Sequence, residues 1–266
     1  MAETASDWTP ATAIARLRSP DLSERYYAAW WLGKMRIHSA LPHLLVALQD
    51  EDDRTELGGY PLRRNAARAL GKLGDPEALP ALQSALACAD IYVREAVAQA
   101  IAEIAKSSPT AYQLAQECVP ALCRLLQSSD PQPYEAILET LGTLKALSGQ
   151  ALIEPFLQHP LPRIRMAAAR AMYGLTADPQ YAELLVQELH HPNVNLRRVA
   201  LTDLGQIGYL PAFRQIAACP VENSFKLLAL KNILEHHLPP GGIALELDPS
   251  LAQTLQEVML VMDELL

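Results

Sequence analysis

Apolar residues along this chain fall in runs of roughly 10 to 16 positions at helical spacing, separated by Pro, Gly, Asp and His-Pro. Ala and Leu, both strong helix formers, make up most of each run. Strand signals are scarce: there is no Asn-Gly or Asp-Gly pair and no long alternation of β-branched residues. The pattern predicts an all-α chain.

The runs also repeat. Leu62-Arg63-Arg64-Asn65-Ala66-Ala67-Arg68-Ala69-Leu70-Gly71 aligns with Val93-Arg94-Glu95-Ala96-Val97-Ala98-Gln99-Ala100-Ile101-Ala102. Ile164-Arg165-Met166-Ala167-Ala168-Ala169 and Leu196-Arg197-Arg198-Val199-Ala200 follow the same template, and weaker copies begin at Glu24, Pro133 and Phe225. The second positions of the copies are 25, 63, 94, 134, 165, 197 and 226. A unit of about 31 residues explains four of the six spacings, and the two longer ones place insertions at about 51–60 and 107–116. A second helix is predicted after each copy, at 40–48, 78–87, 118–127, 152–158, 181–189 and 210–217. One such pair cannot bury its apolar face alone, so the pairs must stack. The expectation is an α-solenoid of about seven helical pairs, with capping helices at 8–18 and 249–266. The solenoid would occupy 1–240. Pro239-Pro240-Gly241-Gly242 would break the chain before a C-terminal capping helix, 241–266, of the same domain. Asp21 and Asp90, four residues before Arg25 and Arg94, suit helix starts, and the arginines can pair with them. That makes the recurring arginine a scaffold residue.

Charge narrows the function. With 22 Lys and Arg against 30 Asp and Glu, the net charge of −8 disfavours nucleic acid and anionic lipid as partners. Four scattered cysteines form no disulfide framework and no CxxC, which points to a reducing, cytoplasmic compartment. No apolar run approaches the roughly 20 residues of a membrane span, and residues 1–10 do not resemble a signal peptide. Catalytic signatures such as GxSxG, the P-loop, GxGxxG and HExxH are missing, and no metal site is expected. His159-Pro160 and His191-Pro192 occupy equivalent repeat turns and read as turn starters. Cys118 and Cys123 read as small core hydrophobes.

Two stretches exceed what a scaffold needs. In Arg25-Tyr26-Tyr27-Ala28-Ala29-Trp30-Trp31-Leu32-Gly33-Lys34, four of the chain's twelve Tyr and Trp residues fall within six positions. Tyr27, Trp30, Trp31 and Lys34 share one helix face, and Ala28, Ala29 and Leu32 the other. The aromatic face either packs on a neighbour or offers a flat surface to a ring system or a partner helix. The second stretch is the insertion Glu51-Asp52-Asp53-Arg54-Thr55-Glu56-Leu57-Gly58-Gly59-Tyr60, followed by Pro61-Leu62-Arg63-Arg64. It is either a solvated acidic loop or part of a binding face, where loops that escape the repeat length usually sit.

The aromatic block, together with Asp53-Arg54-Thr55-Glu56-Leu57-Gly58-Gly59-Tyr60-Pro61-Leu62-Arg63-Arg64-Asn65-Ala66-Ala67-Arg68-Ala69-Leu70-Gly71, closely resembles the E subunits of the E/F-type phycobilin lyases. The short repeats look like the HEAT-like repeats of that family and span nearly the whole chain. The more specific motifs cover about its first quarter. The resemblance implies a heterodimer with an F-type lyase subunit that attaches phycocyanobilin through a thioether to a cysteine of the apophycocyanin α chain, and can detach it. The bilin enters as substrate, with no tightly bound cofactor.

That chemistry needs an apolar wall, guanidinium groups for two propionates and a carboxylate to hold or deliver a proton. It must also hold the bilin in one conformer. The nucleophile belongs to the acceptor protein. On this resemblance Trp30, Trp31 and Tyr60 form the wall, Arg54 and Arg64 take the propionates, and Asp53 or Glu56 is the acid acting on the pyrrole nitrogens. Tyr26 and Tyr27 fall to the partner interface, and Arg63 is set aside as scaffold. The competing expectations are a non-enzymatic solenoid adaptor and a chaperone that carries bilin without bonding it.

Overall fold

The computed structural model describes residues 8–238 and 248–266, in two compact units divided between Leu152 and Ile153. No strand occurs among the described residues. The first unit runs through α1 (Pro10–Arg16), α2 (Leu22–Lys34), α3 (Leu41–Ala47), α4 (Pro61–Leu73), α5 (Leu79–Ala85), α6 (Ile91–Ala105), α7 (Pro109–Ala115), α8 (Val119–Leu126) and α9 (Tyr134–Thr143). A short α10 (Gln150–Ile153) spans the divide. The second unit holds α11 (Pro162–Thr176), α12 (Pro179–Glu188), α13 (Val194–Gln206), α14 (Phe213–Ala218), α15 (Asn223–His237) and α16 (Pro249–Leu265).

The fold is the expected all-α, HEAT-like α-solenoid stacking of helical pairs. The first helix of each pair coincides with a repeat copy. The second helices of the first unit, α3, α5 and α8, each follow a 3-10 turn and carry Pro in their opening turn, where the missing N–H costs nothing. Leu32, Leu44, Leu62, Leu70, Leu82, Ile101 and Leu122 fill the space between the pairs. Helix α4 lies between α2 and α6, and glycine sets how closely. A Cβ on Gly33 would lie 2.6 Å from the Ala69 Cα, and one on Gly71 2.8 Å from the Ala100 Cα. The insertion at 107–116 folds as a helix, α7. Ser108 caps it by accepting the Ala111 N–H, and Tyr112 and Gln116 fasten it to the Leu144 carbonyl, each at 2.8 Å. In the second unit α16 packs on α14 and α15 and buries Leu255 and Val258. The expected break at 239–242 lies outside the described residues.

The recurring arginine is indeed scaffold, but it does not pair with the aspartate one turn before it. Asp21 and Asp90 cap α2 and α6 through the Ser23 and Tyr92 N–H groups. The arginines bind main-chain carbonyls at the end of the preceding helical pair. Arg94 donates to Cys88 O and Ala89 O, Arg165 to His159 O and Pro160 O, and Arg197 to His191 O and Pro192 O. Arg25 donates to Ser19 O in the same manner and also pairs with the Asp50 carboxylate. A capping aspartate is already satisfied by backbone N–H groups, whereas helix-end carbonyls need donors. The two turn histidines act as expected: His159 Nδ1 accepts the Leu161 N–H and His191 Nδ1 the Asn193 N–H.

Candidate functional site

Helical phase divides the aromatic block on α2. Ala28, Ala29, Leu32 and Gly33 are buried. Tyr27 and Trp31, one turn apart, meet Trp8, with ring centroids at 4.9 and 6.0 Å. Trp30 touches Tyr27 at 5.1 Å, and Lys34 Nζ lies 4.7 Å from the Trp30 ring. Tyr26 and Trp30 line a separate groove (below). Trp31 thus packs on Trp8 of the N-terminal segment, and Trp30 lines the groove. Tyr26, assigned from the sequence to a partner interface, sits beside it.

The insertion 51–60 is irregular but anchored. Asp53 is 6% exposed, and its Oδ2 accepts the Leu62 N–H at 2.8 Å, capping α4 across nine residues. Its own N–H donates to Asp50 Oδ2 at 2.8 Å. Burial pushes the Asp53 carboxyl up and nearby Asp50 adds to this, against the Leu62 hydrogen bond and Arg25. Tyr60 is buried too. Its N–H donates to Asp90 Oδ2 at 2.8 Å and its hydroxyl to Glu51 at 3.2 Å. Guanidinium groups cover the Tyr60 ring, Arg63 at 4.2 Å and Arg54 at 5.7 Å. Arg63 also binds Glu51, whose carboxyl is held below its usual range. The tip turns on Gly58, at φ 83, where a left-handed backbone favours glycine. Arg54, Glu56 and Leu57 are exposed. The loop is therefore not surplus to the fold at Asp53 and Tyr60, which secure the start of α4. The adjoining depression, about 490 Å³, is lined by Asp50, Glu51 and Asp52, a poor reception for a dicarboxylate.

A better-suited groove, about 430 Å³, runs across α2, α4 and α6. Tyr26 and Trp30 supply rings, Arg68 and Lys72 positive charge, and Gln99 and Glu103 polar groups. Asn65 is buried in its floor and donates to the Tyr26 carbonyl at 3.0 Å, fixing α4 against α2. Glu103 lies over Gly71, so close that a Cβ there would come within 2.8 Å of Oε2. The groove walls push its carboxyl above the ordinary range, and Glu139 adds to the shift, while Lys72, Lys106 and Arg36 oppose it. Asp53, Glu56, Arg54, Tyr60 and Trp31 do not line this groove. Arg64 is half-buried, one turn before Arg68. Its guanidinium lies over Tyr92 at 5.2 Å, and its Nε is buried without a hydrogen-bond partner.

Sequence reasoning overlooked Arg68, Lys72 and Glu103, though a signal for them existed. Trp30, Arg68 and Gln99 each stand five residues after a recurring arginine, and Lys72 and Glu103 nine after. Equivalent repeat positions on stacked helices are neighbours in space. Burial raises the thiols of Cys118, Cys123 and Cys219, that of Cys118 to about 11. No described helix is long and apolar enough to cross a membrane.

The HEAT repeats family model matches residues 10–102 and 59–120. Phycocyanobilin lyase subunit alpha of Nostoc sp. PCC 7120 is 52% identical, over 100% of this chain and 96% of its own length. Bilin biosynthesis protein PecE of Mastigocladus laminosus is 50% identical, over 85% of this chain and 81% of its own. Among solved structures, the complex of CpcE and CpcF of phycocyanin lyase from Nostoc sp. PCC 7120 matches with a TM-score of 0.84 at 50% identity, covering 100% of this chain and 98% of that one. Likeness at this level, from one end of the chain to the other, places it in the phycocyanobilin lyase alpha-subunit family.

Proposed function

We propose that this chain is the E-type subunit of a heterodimeric bilin lyase. With an F-type partner it joins phycocyanobilin to a cysteine of the phycocyanin α chain, and can reverse the reaction. The observation that carries this reading is the full-length likeness to the Nostoc lyase subunit, in sequence and in fold. The reaction is a net addition: the acceptor sulfur bonds to the ethylidene carbon of ring A, and the thiol proton ends on the bilin. No oxidant or reductant is needed. The protein's work is to hold a flexible tetrapyrrole in one conformer and to manage a proton. The unreactive Cys118 thiol accords with a nucleophile supplied by the acceptor.

Trp30 is the aromatic wall and Tyr26 extends it. Arg68 and Lys72 are the propionate partners in the groove, with Arg64 one turn away over Tyr92. Arg54 and Glu56, exposed on the loop, are able to meet a bilin edge, while Asp53 and Tyr60 hold the loop and the start of α4 in place. Coexpression with the F-type partner, the apo-α chain and phycocyanobilin tests the function. Covalent colour on the acceptor, seen by zinc-induced fluorescence in a denaturing gel, is expected. Bilin binding without acceleration of attachment would make the chain a carrier, and no bilin binding would make it an adaptor.

A further inference from the structure

The stacking of α2, α4 and α6 sets equivalent residues side by side, one row per helical turn. Counted from the recurring arginines, Tyr26, Arg64 and Glu95 share the first row, Trp30, Arg68 and Gln99 the second, and Lys34, Lys72 and Glu103 the third; of these, Tyr26, Trp30, Arg68, Lys72, Gln99 and Glu103 line the groove. Down the columns, α4 carries three cations on one broad face and α6 carries acid, amide and acid.

Cations and acids so placed would ordinarily pair. Among the described residues, no ion pair within 4 Å engages Arg64, Arg68, Lys72, Glu95 or Glu103. Lys72 and Glu103 thus act on each other without pairing, and the groove keeps charge of both signs to spare.

A bilin has two unlike edges. The propionates project from one, and the pyrrole nitrogens line the other. We propose that the charge order of the groove fixes which edge faces which helix: the propionates lie on Arg68 and Lys72 of α4, and the pyrrole nitrogens face Glu103 of α6. This rests on the bilin-lyase reading and specifies how the substrate lies. Charge complementarity and the aromatic border at Trp30 carry it. The charged groups acting on Glu103 are Lys72, Lys106 and Arg36, which favour its carboxylate, and Glu139, which with burial opposes it. A carboxylate beside the nitrogens favours the protonated, more electrophilic bilin.

The test uses the heterodimer with the F-type partner and two probes, phycocyanobilin and its dimethyl ester, which lacks both propionate charges. The wild-type complex is expected to bind the acid roughly ten- to a hundredfold more tightly than the ester. Arg68→Ala with Lys72→Ala should reduce that preference severalfold or more by weakening acid binding alone. Glu103→Gln should keep the preference but lower the apparent pKa of the bound bilin, followed by absorbance, by about one unit. Equal affinity for acid and ester in the wild type, or an unmoved bilin pKa in Glu103→Gln, would overturn the orientation while leaving the lyase reading intact. A wild-type complex that binds neither probe would overturn both. Melting temperature confirms that each variant is folded.

Discussion

Replacing Asp53 separates anchoring from chemistry. Its carboxylate is the acceptor for the Leu62 N–H, and Leu62 is 1% exposed, so no water can stand in. Asp53→Ala removes a helix cap and strands a buried donor. Caps contribute about 0.5–2 kcal/mol and a stranded buried donor costs about 1–3 kcal/mol. The two overlap, and a loss of about 2 kcal/mol is expected, or about 4–8 °C in melting temperature for a unit of this size. Asp53→Asn keeps an acceptor oxygen and buries no charge, so its stability near neutral pH should lie within about 0.5 kcal/mol of the wild type. The two variants should also differ from wild type in pH dependence. Burial raises the Asp53 carboxyl above its ordinary 3.8, so the folded chain binds that proton more tightly than the unfolded one. The contribution of Asp53 to stability must then rise as pH falls through the raised value and level off below the ordinary one. Both variants should lack that increment. Circular-dichroism melts from pH 4 to 7, beside gel-based attachment assays, provide the measurement. Asp53→Ala melting like the wild type would refute the anchoring argument. Asp53→Asn that melts normally but attaches bilin slowly would instead give Asp53 a proton-handling role.

Arg94→Ala should cost about 3 kcal/mol by urea denaturation, because the carbonyls of Cys88, Ala89 and Pro131 lose their donor together. A loss below about 0.5 kcal/mol would contradict the clasp. Trp31→Ala should lower thermal stability through its contact with Trp8, whereas Trp30→Ala should weaken bilin binding with a smaller change in melting; the reverse assignment would undo the division of the block. Gly71→Val should destabilise by about 1–3 kcal/mol through overpacking on Ala100. Cys118 should resist iodoacetamide in the native complex at pH 8 and react once the chain is unfolded; rapid native labelling would refute its burial.

The repeat was legible in the sequence because each copy is local: an arginine, a run of small residues, a turn. The first helices could be placed from that template alone. The insertion at 107–116 was read as length without form, since the contacts of Tyr112 and Gln116 with Leu144, which make α7 part of the stack, are tertiary. Asp53 looked like a loop acid because its partner is a main-chain N–H nine residues away that carries no sequence signature. Trp30 and Trp31 are indistinguishable until Trp8 is seen beside only one of them. Arg68, Lys72 and Glu103 read as ordinary solvated positions on two separate helices, and they share one groove only when the rows are laid side by side.

Arg63 reaches the carbonyls of Gln49 and Asp50 across 14 and 13 residues, whereas Arg94 reaches those of Cys88 and Ala89 across only six and five. The step from one helical pair to the next is thus gauged through space and is blind to contour length. A segment between two such clasps can lengthen, shorten or be exchanged while the rungs keep their pitch. The stretch from 54 to 59 then behaves as a cassette between the fixed points Asp53 and Tyr60, one that evolution, or an engineer transplanting it between relatives, can rewrite without re-tuning the ladder that carries it.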